Sequence, residues 1–168
     1  MNRKSRWMLP FLMGIAPVVA LAAAGAIYTS EAEARIAAQQ DLRNRQAGNQ
    51  GTEFGTVVYE VAGPWRDSRY TYTPVVQGNA DGVNLWPSFD SANASGTAKS
   101  TLHTHNDPGS YYNGLSPEDR ANADLRGIPT YAIEPGDGFW ADCVHEYDPE
   151  TREGRSACDD GEQSKKES

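Results

Sequence analysis

His103 and His105 are separated by one residue in Thr101-Leu102-His103-Thr104-His105, a run rich in β-branched residues. Alternation along a strand sends both imidazoles to one face, the arrangement that two ligands of one metal ion require. Further on, Ser116-Pro117-Glu118-Asp119 has the form of a helix start, with Ser as cap and Pro at the first helical position. Asp119 in that first turn could bring its carboxylate back beside the two imidazoles. Three protein ligands and one open position describe a catalytic zinc site, although two imidazoles and a carboxylate also suit other divalent ions. Each half alone has an ordinary explanation, as strand histidines on a surface and as an acidic residue favoured at the positive helix end. It is their order and closeness that point to chemistry.

The elements that must position these residues are legible on both sides. Thr56 to Val61 is β-branched and aromatic, ends at Gly63-Pro64, and predicts a strand and a turn. Arg69 to Thr73 alternates tyrosine and threonine and should pair back as a hairpin. The stretch 77–96 is full of Gly, Asn, Asp, Ser and Pro and is expected to be a long loop, either walling a cleft or pinned to the core by Trp86 and Phe89. A third strand is predicted over 97–105 and a helix from Ser116 to near Gly127. The strand Pro129–Ile133, a turn at Pro135 to Gly138 and a strand from Phe139 to Tyr147 complete a second hairpin.

Before the strands, the chain starts with Arg3, Lys4 and Arg6 and continues in an almost uncharged apolar run from Trp7 to Tyr28. Such a run is expected to enter a bilayer, either as a signal peptide cleaved near Ala32-Glu33-Ala34 or as a retained anchor. Both outcomes place the remainder outside the cytoplasm, periplasmic or secreted, if the basic end stays inside. Ser30 and Glu33 form a candidate capping box for an Ala- and Gln-rich helix ending near Arg45, expected to be a stalk or a lightly packed linker. The organisation predicted is 1–30 signal or anchor, 31–50 helical linker, 51–147 a single α+β domain, and 148–168 an acidic, loosely ordered tail.

The net charge of −8 and the absence of a basic stripe argue against nucleic acid as a partner. Cys143 and Cys158 could close a loop of 15 residues as a disulfide, which fits an oxidising compartment. The competing role for Cys143 is a Cys-x-His metal pair with His145.

His103-Thr104-His105 followed by Ser116-Pro117-Glu118-Asp119 resembles the His-x-His, Ser-x-x-Asp signature of the JAB/MPN, or JAMM, zinc metallopeptidases. Those enzymes also carry a glutamate at the start of an earlier strand, just before a glycine, and Glu53-Phe54-Gly55-Thr56-Val57 is similar. Tyr70-Thr71-Tyr72-Thr73 and Ile128-Pro129-Thr130-Tyr131 extend the likeness to a bacterial branch of uncharacterised domains in secreted and toxin-like proteins. The resemblance covers about 52–147. It implies a JAB/MPN-like, cytidine-deaminase-like mixed β-sheet with flanking helices, and Zn2+ held by His103, His105 and Asp119. It further implies Glu53 as general acid/base and Ser116 as oxyanion stabiliser, with Glu60 the alternative to Glu53. The substrate implied is a peptide or protein, with cell-wall peptide one option.

One departure is the loop between His105 and Ser116, ten residues long and larger than in the better-known members. Its closure costs little, but it occupies the region where substrate would lie, so deubiquitinating specificity does not transfer. A catalytically inert module of the same fold, serving binding or assembly in the envelope, is the alternative to an active peptidase. His103-x-His105-x-Asp107 also invites comparison with metallo-β-lactamases, but Pro108 stands where a His is needed. Amidohydrolase barrels need roughly twice this length.

Overall fold

The computed structural model describes residues 24–49, 51–106, 114–134 and 143–158. The chain folds as α+β, with a seven-stranded mixed sheet and three helices in the order α1 (Glu31–Ala47), β1 (Phe54–Val61), β2 (Tyr70–Tyr72), β3 (Val76–Gln77), α2 (Trp86–Ser95), β4 (Gly96–Thr104), α3 (Pro117–Arg126), β5 (Thr130–Glu134), β6 (Cys143–Asp148) and β7 (Glu153–Cys158). The sheet order is β2-β1-β4-β5-β6-β7, and β3 also pairs with β1. Among the described residues only β4 and β5 run parallel, and α3 is the crossover between them.

Strand alternation divides the core into two faces. Phe54, Val58, Tyr72, Leu102, Tyr131 and Ile133 pack against Ala34, Ala38 and Leu42 of α1. On the other face Val57 and Ala98 meet Ala92 of α2, and Ala132 and Tyr147 meet Leu115 and Ala123 beside α3. The candidate site opens on this second face, at the end of β4.

Three expectations change. The helix expected as a loose linker is part of the core: its spacing Ala34, Ala38, Leu42, Gln46 is one narrow buried stripe, in which Leu42 is the one large apolar residue. The stretch expected as one long loop contains α2, which starts without a side-chain cap, has Pro87 in its first turn and buries Ser88 and Ala92. Packing rather than propensity holds it, so composition alone hides it. The tail expected to be loosely ordered from 148 supplies β7. There Arg152 takes a positive φ of 57°, its N–H donates to the Asp148 carbonyl, and the Cys143–Cys158 disulfide fastens the far end of the hairpin. Cys143 is therefore a disulfide partner rather than a metal ligand. Finally, the hairpin turn at 135–138 lies outside the described residues, as do the N-terminal apolar run up to residue 23 and the tail beyond Cys158. Among the described residues no helix is long and apolar enough to cross a membrane.

Candidate metal centre

β4 delivers His103 and His105 to the same face, both buried, at 5 % and 7 % exposure. The backbone of His105 is fixed on both sides although it lies past the last paired residue of β4. Its N–H donates to the Ile133 carbonyl at 2.9 Å, and its carbonyl accepts from the buried Gln46 side chain of α1. Beside it, the Phe54 N–H donates to Thr104 Oγ1 at 2.9 Å, tying the start of β1 to the same end of β4.

Asp119 arrives through the capping box of α3. Ser116 Oγ accepts from the Asp119 N–H at 3.1 Å, while Asp119 Oδ2 accepts from the Ser116 N–H at 2.9 Å and from its hydroxyl at 2.7 Å. That exchange turns the other oxygen, Oδ1, towards His103 Nε2, at 3.3 Å. His105 Nε2 lies 3.6 Å from Asp119 Oδ2, and the two Nε2 atoms lie 3.0 Å apart.

Those spacings, taken to one Asp119 oxygen from each imidazole, are of the size that a shared metal ion needs. With bonds of about 2.0–2.1 Å, ligand atoms around zinc stand roughly 3.3 Å from one another. The His103, His105 and Asp119 donors all lie within 4.8 Å of one another, and their chemistry, two imidazoles and a carboxylate, is that of a divalent cation site. Burial alone would push the Asp119 carboxyl up. The attraction of His103 and hydrogen bonds from His103, His105 and Ser116 outweigh it and hold the group well below the usual carboxylate range. The carboxyl is therefore ionised, as a ligand must be.

Glu53 lines the same cleft, which has a volume of about 730 Å³. Its backbone is clamped to the loop after β3, with N–H donating to the Asn79 carbonyl at 3.0 Å and the Gly78 N–H donating to its own carbonyl at 2.8 Å. Gly55 pairs with His103 across the β1–β4 ladder, and a side chain there would meet Leu85 at 2.6 Å and the Leu102 carbonyl at 3.1 Å. The glycine thus lets the loop bearing Leu85 close over the strand beside Glu53. Burial pushes the Glu53 carboxyl up to about 7, against the pull of His105 and with the repulsion of Asp119 and Asp81 added. Glu60 is elsewhere: at the far end of β1 it pairs with Lys99 at 2.9 Å and accepts from Ser68, and it does not line the cleft.

The five candidates Glu53, His103, His105, Ser116 and Asp119 line one cleft, and the sequence reading missed what surrounds them. Asn122 and Arg126 follow Asp119 on the same face of α3 and line the cleft with it. Their i+3 and i+7 spacing was a usable signal. It also missed a second polar cluster, in which His145 Nδ1 lies 2.8 Å from Ser156 Oγ and His145 Nε2 lies 3.1 Å from Glu134 Oε2. Gly114, at φ 68°, packs directly on the His145 ring, where no side chain would fit. Because these partners come from three strands, only register reveals them. Comparison of the chain with family models, with curated proteins and with solved structures finds no match.

Proposed function

We propose that the chain is a zinc-dependent hydrolase of peptide or isopeptide bonds, of the JAB/MPN metallopeptidase type, working outside the cytoplasm. The observation that carries this reading is the convergence of His103, His105 and Asp119 at metal-ligand spacing, with the half-buried carboxyl of Glu53 in the same cleft. A bound zinc ion would act as Lewis acid and lower the pKa of water in its open position.

The remaining work falls to the chain. A carboxyl with a pKa near 7 exchanges protons with water and with an amine at neutral pH. Glu53 takes a proton from water as the oxygen adds to the scissile carbonyl carbon. It then hands that proton to the nitrogen as the C–N bond breaks, leaving a carboxylic acid and an amine. Ser116 keeps Asp119 in place, since its hydroxyl proton is directed at Asp119 Oδ2. To stabilise an oxyanion it would have to turn that proton away from the carboxylate, so positioning is its first role. An inert module of the same fold would have no use for Glu53 at this place.

The Cys143–Cys158 disulfide supports an oxidising compartment, and with it an envelope or secreted substrate. Metal analysis of the purified chain tests the reading: about one zinc per wild-type chain, and a large loss in Asp119→Ala. Equal loading of the two proteins removes Asp119 from the site and ends the proposal. Zymography on cell walls, wild type against His105→Ala, tests the envelope substrate, and equal clearing by both counts against it.

A further inference from the structure

The cleft is acidic at the metal end, where Glu53, Asp81, Glu118 and Asp119 line it, and carries a cation at the other. Arg126 is the only Lys or Arg among the described residues that line it. Its guanidinium carbon lies 4.5 Å from the Trp86 ring centre and 5.5 Å from that of Phe89, and these two rings meet edge to face. Nε is buried with no hydrogen-bond partner, and no carboxylate pairs with Arg126 among the described residues. A guanidinium held over aromatic rings with no carboxylate beside it has its terminal N–H groups to offer a carboxylate.

The position of this group relative to the metal centre follows from the helix. Asp119 and Arg126 are seven residues apart on α3, two turns, so they share a face about 10 Å apart along the axis. Asn122 lies between them. Beneath that line the floor is the pair Thr101 and Thr130, both buried, with one hydroxyl donating to the other at 2.9 Å. About 10 Å is the span of three extended residues.

We propose that Arg126 is the specificity-determining residue of the cleft: it anchors a carboxylate of the substrate two or three residues along from the bond that is cut. The position of that bond rests on the hydrolase reading above; the anchoring itself does not. The carboxylate is the C-terminal one of a short peptide or an acidic side chain at that place. A substrate carrying it would enter with its charge directed away from the acidic end of the cleft and towards the single cation.

The test uses the full chain with Glu53→Gln, which holds ligand without turnover, and follows the Arg126 Nε–H resonance, assigned by its loss in Arg126→Lys. The probes are acetyl-tetra-alanine with a free C-terminal carboxylate, the same peptide as its amide, and the amide with Glu as last residue. The expected result is a shift of that resonance by the carboxylate peptides and binding roughly ten-fold or more tighter than the amide, an advantage abolished by Arg126→Gln. Response to the free acid alone assigns the anchor to a chain end; response to both includes acidic side chains. Each titration is repeated with zinc and without it. A preference that persists without zinc supports the anchor even if the chain binds no metal and the hydrolase reading fails. Equal affinity for acid and amide, no saturable binding of either carboxylate peptide, a preference that survives Arg126→Gln, or one that vanishes without zinc overturns it.

Discussion

Glu53→Gln should make the metal-free protein more stable at alkaline pH while removing its catalytic proton carrier. The carboxyl has an ordinary value of 4.5 and a value of about 7 in the fold. Between those two values the folded chain holds a proton that the unfolded chain releases, so stability falls as pH rises through this window. Below 4.5 the group costs nothing, and above 7 the full cost is present. For a fully sheltered group the gap is worth about 3.4 kcal/mol. Glu53 is only half-buried and faces an open cleft, so solvent screening reduces it to about 2 kcal/mol. Gln keeps the shape and cannot ionise. In chelator-treated protein, urea unfolding at pH 8.5 should show Glu53→Gln more stable by about 2 kcal/mol, while at pH 4.5 the two proteins should coincide. The difference between variant and wild type cancels the other titrating groups to first order. Zinc loading should narrow the gap at pH 8.5, because a nearby cation favours the ionised carboxylate. A gap of the same size at both pH values, or a variant less stable at pH 8.5, refutes the reasoning that burial strains this carboxylate.

Ser116→Ala removes the two Oγ bonds to Asp119, leaving only the backbone N–H to Oδ2, and should cost about 1 kcal/mol in unfolding free energy, while weakening zinc about 10- to 100-fold through the loosened Asp119; competition with a chelator measures the second effect. Gly114→Ala puts a methyl group into the His145 ring at a positive φ, so denaturation should show a loss of roughly 2–4 kcal/mol, with normal zinc content in the protein that remains folded. Cys143→Ser with Cys158→Ser opens a loop of sequence separation 15 and should lower stability by about 3 kcal/mol, read as a lower melting temperature without loss of metal.

The candidate site was legible because its determinants are local. Two histidines in an alternating strand must share a face, and Ser-Pro-Glu-Asp must start a helix, whatever the rest of the chain does. Glu53 was separable from Glu60 only through its glycine, and the structure gives that glycine a reason: Gly55 lies directly across from His103, where a side chain would have to displace Leu85 and crowd the Leu102 carbonyl. The parts that stayed hidden depend on distant partners. α2 exists because Ser88 and Ala92 find a sheet to lie on, and β7 because a turn and a disulfide bring an otherwise exposed strand alongside β6.

Register decides the rest. His103 pairs with Ala132, Ala132 with His145 and His145 with Ser156, so one row across the sheet carries polar chemistry at both ends and a methyl group in the middle. A slip of one residue in either ladder would send half of that row to the α1 face. Ala132 is buried under Leu115 and Ala123, which lie on either side of the Ser116–Asp119 cap of α3, so the packing that sets the register also sets Asp119. The metal centre and the Glu134–His145–Ser156 cluster are therefore not independent features: a substitution at Ala132 large enough to lift α3 should disturb both at once, and a zinc affinity that ignores such a change would mean that Asp119 is held by its cap alone.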